Sequence, residues 1–307
     1  RRGAVRNARG GRAPHFLLHG YGLDQVRSGQ VVAVGIKAEP PGMSQGRGQL
    51  WRASDSALPG LGITRCPSSC DMSLTVPYQP AAIFKRSGFS HIVVYSAIMG
   101  GHDHLKSQPR HPTVDFVCFT DNPRLNHPQW NVVHISNQGL PNRLSAKRMK
   151  MCPDRWVRPW THSIWIDASV QIKTPAFYDV CVAELQRYGI AMFRHPDRDC
   201  IYDEAEISMS MAKYEPQAIE RQIRRLRSTG FPAHAGLWAC GIIGRRSGHA
   251  SIAALGRAWL TECFRSSPQD QISLPPLLNA VGLDPGTIPG NLWSNDLIEV
   301  HPHLSDE

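Results

Sequence analysis

From residue 90 onward the chain alternates β-branched apolar runs with segments whose apolar residues recur every three or four positions, and few architectures accept that pattern. His91-Ile-Val-Val-Tyr-Ser-Ala-Ile98 reads as a strand buried on both faces, ended by Gly100-Gly101. Val114-Asp-Phe-Val-Cys-Phe119, Trp130-Asn-Val-Val-His-Ile135, Ser163-Ile-Trp-Ile166, Gly189-Ile-Ala-Met-Phe193 and Leu237-Trp-Ala-Cys-Gly-Ile-Ile243 read as further strands. Between them, Ile219, Ile223 and Leu226 stripe a helix over 216–228, and Ile252, Leu255 and Trp259 stripe another over 251–264. A third helix is expected over 143–151. The expected fold class is α/β, a mostly parallel central sheet flanked by helices.

The first 88 residues have a different texture. They hold 12 of the 34 Lys and Arg but only 4 of the 25 Asp and Glu, so almost all of the +9 net charge lies in this arm. Rich in Gly, Pro, Ser and Arg, the segment has too little apolar surface to offset the entropy of ordering it. We expect 1–88 to be disordered or foreign to the fold, and 89–307 to form the α/β domain. The arm lacks interleaved aromatics or a reader motif, so nucleic acid is not an expected partner. Cys66-Pro-Ser-Ser-Cys70 has no second ligand pair nearby and is not read as a metal site. The apolar runs are too short to cross a bilayer. Cys152, Cys181, Cys200, Cys240 and Cys263 read as small apolar residues of a reducing compartment. The expected location is cytoplasmic, at most peripheral to a membrane.

Open parallel sheets bind ligands beyond the carboxyl ends of their strands. The polar groups at those places are Gly100-Gly101-His102-Asp103, Thr120-Asp121, Asp167, Arg194-His195 and Arg245-Arg246. Asp167 directly follows an apolar strand, and a carboxylate there can hold Mg²⁺ or Mn²⁺, hard cations that bridge to phosphates. Arg143, Lys147 and Lys150 share one helix stripe and could clamp a diphosphate. Asp270 reads both as the third residue of a capping box begun by Ser267 and as a carboxylate able to orient or deprotonate an acceptor. The polar stretch His195–Glu204 is an expected acceptor-binding loop, and His301 and His303 are candidate metal ligands. No GxGxxG, GxxxxGK[ST] or GxSxG motif occurs within 89–307, which points to a nucleotide held by side chains and a metal rather than by a glycine cradle.

An ordered set of segments resembles a known family. The set is Val93-Val-Tyr-Ser-Ala-Ile-Met-Gly-Gly-His-Asp103, Asp115-Phe-Val-Cys-Phe-Thr-Asp121, Asn142-Arg143, Ile164-Trp-Ile-Asp-Ala-Ser169, His195-Pro-Asp-Arg-Asp-Cys-Ile-Tyr-Asp-Glu-Ala205 and Asp270-Gln271. It is similar to the glycosyltransferase-like domain shared by plant turgor-regulation and mucilage-related proteins and by bacterial proteins. That resemblance implies a GT-A-like nucleotide-sugar fold, a nucleoside-diphosphate-sugar donor, a divalent metal (Mn²⁺ or Mg²⁺) and a glycan, lipid or other hydroxyl acceptor. It implies that Ser96, Asp121, Arg143 and Lys150 meet the donor, that His195, Arg198, Tyr202 and Glu204 meet the acceptor, and that Asp167 and Asp270 serve catalysis. The family's Asp-x-Asp position reads Asp167-Ala-Ser169 here, without the second carboxylate. The expected activity is therefore glycosyl transfer. The alternatives are a metal-assisted hydrolase using Asp167 with a tail histidine, or a non-catalytic sugar-nucleotide-binding module.

Overall fold

The computed structural model describes residues 91–157 and 160–303. The expected disorder of the basic arm and the reading of Cys66–Cys70 fall outside the described residues. In chain order the elements begin with β1 (Ile92–Ile98), β2 (Val114–Thr120), β3 (Asn131–His134), α1 (Asn142–Met151) and the short α2 (Pro153–Trp156). β4 (His162–Ile166), β5 (Val170–Ile172), α3 (Ala176–Tyr188), β6 (Ile190–Arg194), α4 (Ile201–Met209) and α5 (Pro216–Ser228) follow. The chain then forms β7 (Trp238–Arg246), α6 (Ala250–Arg265), α7 (Asp270–Val281), β8 (Gly286–Thr287) and β9 (Ile298–Val300).

Seven strands make one sheet in the order β3-β2-β1-β4-β7-β6-β8, while β5 and β9 form a separate antiparallel pair. The sheet is mostly parallel, as the apolar runs predict. β7 is the exception, pairing antiparallel with both β4 and β6. The chain leaves β6 and enters β7 at the same rim, where Arg194 pairs with Trp238 and the His195 N–H donates to the Leu237 carbonyl at 3.0 Å. β7 must therefore run back across the sheet. Arg245 and Arg246 consequently lie at its far edge, opposite Ser163 and His162 at the start of β4, rather than beside Asp167 as expected.

The period of two in β1 sorts its side chains into two layers. Ile92, Val94 and Ile98 pack with Phe177, Tyr178, Cys181 and Leu185 of α3. Val93, Tyr95 and Met99 pack with Met149 and Met151 of α1 and with Leu255 and Trp259 of α6. Each large side chain so enclosed contributes about 1.5–3 kcal/mol relative to exposure. A smaller cluster joins Ile201 and Ala205 of α4 to Ile219, Ile223 and Leu226 of α5, so the predicted stripe of that helix is the buried one. Gly256 lets α6 press on the end of α1, since a Cβ there would stand 2.1 Å from the Met151 carbonyl oxygen. That contact fixes the last turn of α1, from which Lys150 projects. The described cysteines Cys118, Cys152, Cys181, Cys200, Cys240 and Cys263 are free and buried. Among the described residues, no helix is long and apolar enough to cross a membrane.

Candidate active site

Asp167 begins the turn that links β4 to β5. Its N–H donates to the Gly241 carbonyl at 2.8 Å, and its carbonyl accepts from the Val170 N–H at 2.9 Å. The segment after Gly100-Gly101 braces this turn: Lys106 Nζ donates to the Ala168 carbonyl at 2.9 Å and to Asp103 Oδ1 at 3.2 Å. The backbone meets the needs of the turn, so the Asp167 carboxylate is left for other work. Its Oδ1 accepts the Trp165 indole N–H at 2.6 Å and the Lys150 ammonium at 3.3 Å, and the side chain remains 38% exposed.

Lys150 reaches two carboxylates. Besides Asp167 it contacts Asp270 Oδ2 at 2.8 Å, and Lys147, three residues back on the same stripe, contacts that oxygen at 2.9 Å. Burial alone would raise the Asp270 carboxyl, but the Lys147 and Lys150 ammonium groups outweigh it and hold it far below the usual carboxylate range. Burial likewise disfavours the Lys150 cation, yet Asp167 and Asp270 together keep it charged well beyond the usual lysine range. The expected capping box is corrected here. Asp270 is the first residue of α7 rather than the third, and Gln269 is the N-cap, its side chain accepting from the Gln271 N–H. Two buried ammonium groups draw the Asp270 carboxylate more strongly than backbone N–H groups do. A carboxylate so held stays ionised and fixes the Lys150 ammonium at the cavity wall.

The stretch expected to be an acceptor loop is half helical. Glu204, on α4, is buried; its Oε2 accepts from Arg198 Nε at 2.7 Å, and its Oε1 accepts from Gln269 Nε2 at 2.9 Å and Ser208 Oγ at 3.2 Å. His195 Nδ1 accepts the N–H groups of Asp197 and Arg198 at 3.2 and 3.1 Å, which leaves Nε2 facing Glu204 at 3.6 Å. Tyr202 turns away from the other three. Its hydroxyl donates to the Phe231 carbonyl at 2.5 Å, and Arg227 lies over its ring. Helical geometry separates residues two apart onto different faces, so Tyr202 and Glu204 cannot both face the site.

Burial lowers the His195 imidazole below its ordinary value, Glu204 opposing and Arg198 reinforcing the effect. The unfolded chain therefore takes up this proton near pH 6.5 while the folded chain resists it, and stability falls as pH drops below that point. Unfolding by urea at pH 7.5 and 5.5 should show a smaller acid loss in His195→Gln than in the unsubstituted protein. Equal losses would remove His195 from the account.

The remaining donor candidates divide. Arg143 is exposed and lies over the Tyr214 ring at 4.9 Å. Asp121 Oδ1 accepts the Gly100 N–H at 2.8 Å, tying the ends of β2 and β1 together. Gly100 has a left-handed backbone that favours glycine, and a Cβ there would displace the Asn142 side-chain amide. Ser96 is fully buried within β1 and does not line the cavity described below.

The others converge on a cavity of about 450 Å³. Lys150, Asp167, His195, Arg198, Glu204, Asp270, His301 and His303 line it, and Lys213, Tyr214, Gln269 and Trp293 join them. None of these last four was singled out in the sequence, nor was the Asp103–Lys106 brace. A sequence signal for Lys213-Tyr214 and Trp293 existed only in their aromatic rings; nothing local marked their convergence.

A divalent cation is expected beside Asp167, and the donor chemistry fits one. Asp167 Oδ2 lies beside Gly241 and is separate from the oxygen that Trp165 and Lys150 engage. Asp103 Oδ2 holds His303 Nδ1 at 2.8 Å, the way a carboxylate orients an imidazole whose other nitrogen ligates a metal. His301 Nε2 meets Gln171 Oε1 at 3.0 Å. Among the described residues, the side chains whose ligand atoms lie close enough together to share an ion are instead Cys200, Asp203 and His234, which include none of these residues.

A family model described as TOD1/MUCI70, glycosyltransferase-like domain, matches residues 83–275. The chain belongs to this family. The TOD1/MUCI70 match includes Asp121, Arg143, Lys150, Asp167, His195, Glu204 and Asp270, and ends before Trp293, His301 and His303. No curated protein matches the chain. Among solved structures, the WbbM bifunctional glycosyltransferase in its apo form is similar at 11% identity with a TM-score of 0.40. That likeness covers 66% of this chain and 39% of the WbbM chain.

Proposed function

We propose that this TOD1/MUCI70-family domain transfers a sugar from a nucleoside diphosphate to a hydroxyl acceptor, in a GT-A-like arrangement at the rim marked by Asp167. The observation that carries this reading is the Lys150 ammonium, held between Asp167 and Asp270 at the cavity wall. Breaking the bond from the anomeric carbon leaves negative charge on the departing diphosphate and oxocarbenium character on the sugar. Lys150 and Lys213 line the cavity, and Arg143 stands over Tyr214 at its edge. Cations fixed there before the reaction stabilise the leaving group without reorganising. Asp121, at the end of β2, would meet the nucleoside. His195 and Arg198, locked by Glu204, would orient the acceptor. Asp167 and His303 would hold a Mn²⁺ or Mg²⁺ ion, which adds charge neutralisation on the diphosphate when bound.

A thermal-shift series with nucleoside diphosphates tests the reading, because a ligand bound to the native state stabilises it by about 2.7 kcal/mol at a hundredfold excess over Kd. Diphosphates should raise the unfolding midpoint more than monophosphates, and Mn²⁺ should enlarge the gap. If no nucleoside diphosphate moves the midpoint with or without Mn²⁺, the reading fails. Ser169 stands where a second carboxylate would strengthen cation binding, and this favours one other reading, a non-catalytic sugar-nucleotide module. Binding without release of sugar to water or to any acceptor would select that one.

A further inference from the structure

Trp293 is 60% exposed, the most exposed of the large apolar side chains among the described residues. An exposed tryptophan alone says little, but two further facts single this one out. It lines the cavity that holds Asp167 and Lys150, whereas the other exposed large side chains, Tyr188, Ile207 and Phe264, do not. It also stands on a braced loop. Leu292 beside it is buried in the core, Asn291 Oδ1 accepts the Trp293 N–H at 2.8 Å, and Asn295 Nδ2 donates to the Asn291 carbonyl at 2.7 Å. Asn295 Oδ1 in turn accepts the N–H groups of Leu297 and Ile298 at 2.8 and 2.9 Å, where the loop enters β9. A large ring carried on a braced backbone loses less entropy when a ligand covers it than one on a free loop.

The surroundings decide what would cover it. A lipid chain needs a continuous apolar groove, and the lining of this cavity instead intersperses Val170, Leu292 and Val300 with charged and hydrogen-bonding side chains, among them Lys213, Arg198, Gln271 and His301. An aromatic face among hydrogen-bonding side chains suits a molecule with one C–H-rich face and hydroxyls around its edge, because the negative π face attracts the weakly positive C–H groups. A pyranose ring has that form. A nucleobase also stacks, but the sheet order puts Trp293 on the wrong side for the donor's base. Asp121 ends β2, which lies beyond β1 from β4, whereas Leu292 packs beside Gly241 of β7, on the other flank of β4.

We propose that Trp293 is the stacking platform for a pyranose ring of the acceptor, so that the acceptor is a saccharide rather than a lipid or a protein hydroxyl. This rests on the transferase reading for the word acceptor, but the platform itself can be tested without it. Soluble oligosaccharides of gluco, galacto, manno, xylo and uronic configuration would be titrated into the full chain, followed by calorimetry and tryptophan emission. At least one series should bind, Trp293→Ala should weaken it by about tenfold or more, and Trp293→Phe should recover most of the loss. Nucleoside diphosphate affinity, measured on the same proteins, should stay the same in both variants. The proposal is overturned if no oligosaccharide binds, if Trp293→Ala binds saccharides as tightly as the unsubstituted protein, or if that variant loses nucleotide affinity instead. Saccharides binding through Trp293 where no nucleoside diphosphate binds at all would sustain the platform and remove the transferase.

Discussion

Replacing Asp270 by alanine should cost about 3–5 kcal/mol of folding stability, the expected penalty for stripping a buried charge of its partner. Asp270, Lys147 and Lys150 all have side chains no more than 10% exposed, and the Asp270 carboxylate touches both ammonium groups. Its removal leaves Lys147 without the acid it contacts and leaves Lys150 with only the half-exposed Asp167. Asp270→Asn should behave nearly as badly, since an amide keeps the volume but not the charge. Adding Lys147→Met to Asp270→Ala should recover part of the loss, because one fewer cation is stranded and the methionine fills the space. Urea unfolding of the two single variants and the double completes the cycle. The pH dependence has a definite sign. A carboxyl held below its unfolded value contributes stability that is fully present above about pH 4 and is lost only as pH falls toward the folded value. The contribution of this cluster should therefore be level from neutrality down to that point, in contrast to the earlier decline assigned to His195. A loss smaller than about 1 kcal/mol in Asp270→Ala would match an exposed pair and contradict the buried cluster.

The parts of the molecule legible in sequence are those governed by local periodicity. Short apolar runs mark β1, β2, β4 and β6, and the stripes of α5 and α6 are the faces that pack. The direction of β7 was not legible, because a connection through two helices is long enough to return the chain to either rim. α4 was hidden for a different reason. Its acidic and aromatic residues mask a short buried face, Ile201, Ala205 and the hydrogen-bonded Ser208, that acquires meaning only against α5 and Gln269. The cationic stripe of α1 was readable from its spacing, and so was Asp167 from its place after an apolar strand. What no local pattern could reveal was that Lys147 and Lys150 meet Asp270, more than a hundred residues later, and that this meeting holds the carboxylate ionised. Ser96 shows the converse: a motif residue can lie fully enclosed within the sheet itself.

Asp167→Ala should separate function from stability where Asp270→Ala cannot. The Asp167 carboxylate is partly solvated, and Lys150 keeps Asp270 when it is gone, so no buried charge is stranded. Folding stability should change by no more than about 1 kcal/mol, as for exposed ion pairs. The chemistry should respond far more. Asp167 contacts the Lys150 ammonium through Oδ1, while Oδ2, beside Gly241, is the oxygen the proposed function assigns to a cation. Losing a preorganised electrostatic group of this kind costs about 10²–10³-fold in turnover. Hydrolysis of a nucleoside-diphosphate sugar, with water as the default acceptor, supplies an assay that needs no knowledge of the natural one. The fall should appear in kcat more than in KM, because the charge being stabilised develops as the bond breaks. Asp167→Asn should stay close to the alanine variant, since an amide can accept the indole N–H but neither balances Lys150 nor holds a cation. Turnover and nucleotide affinity both surviving Asp167→Ala would leave the rim of the sheet without a catalytic role, and the charged cluster would then be explained by folding stability alone.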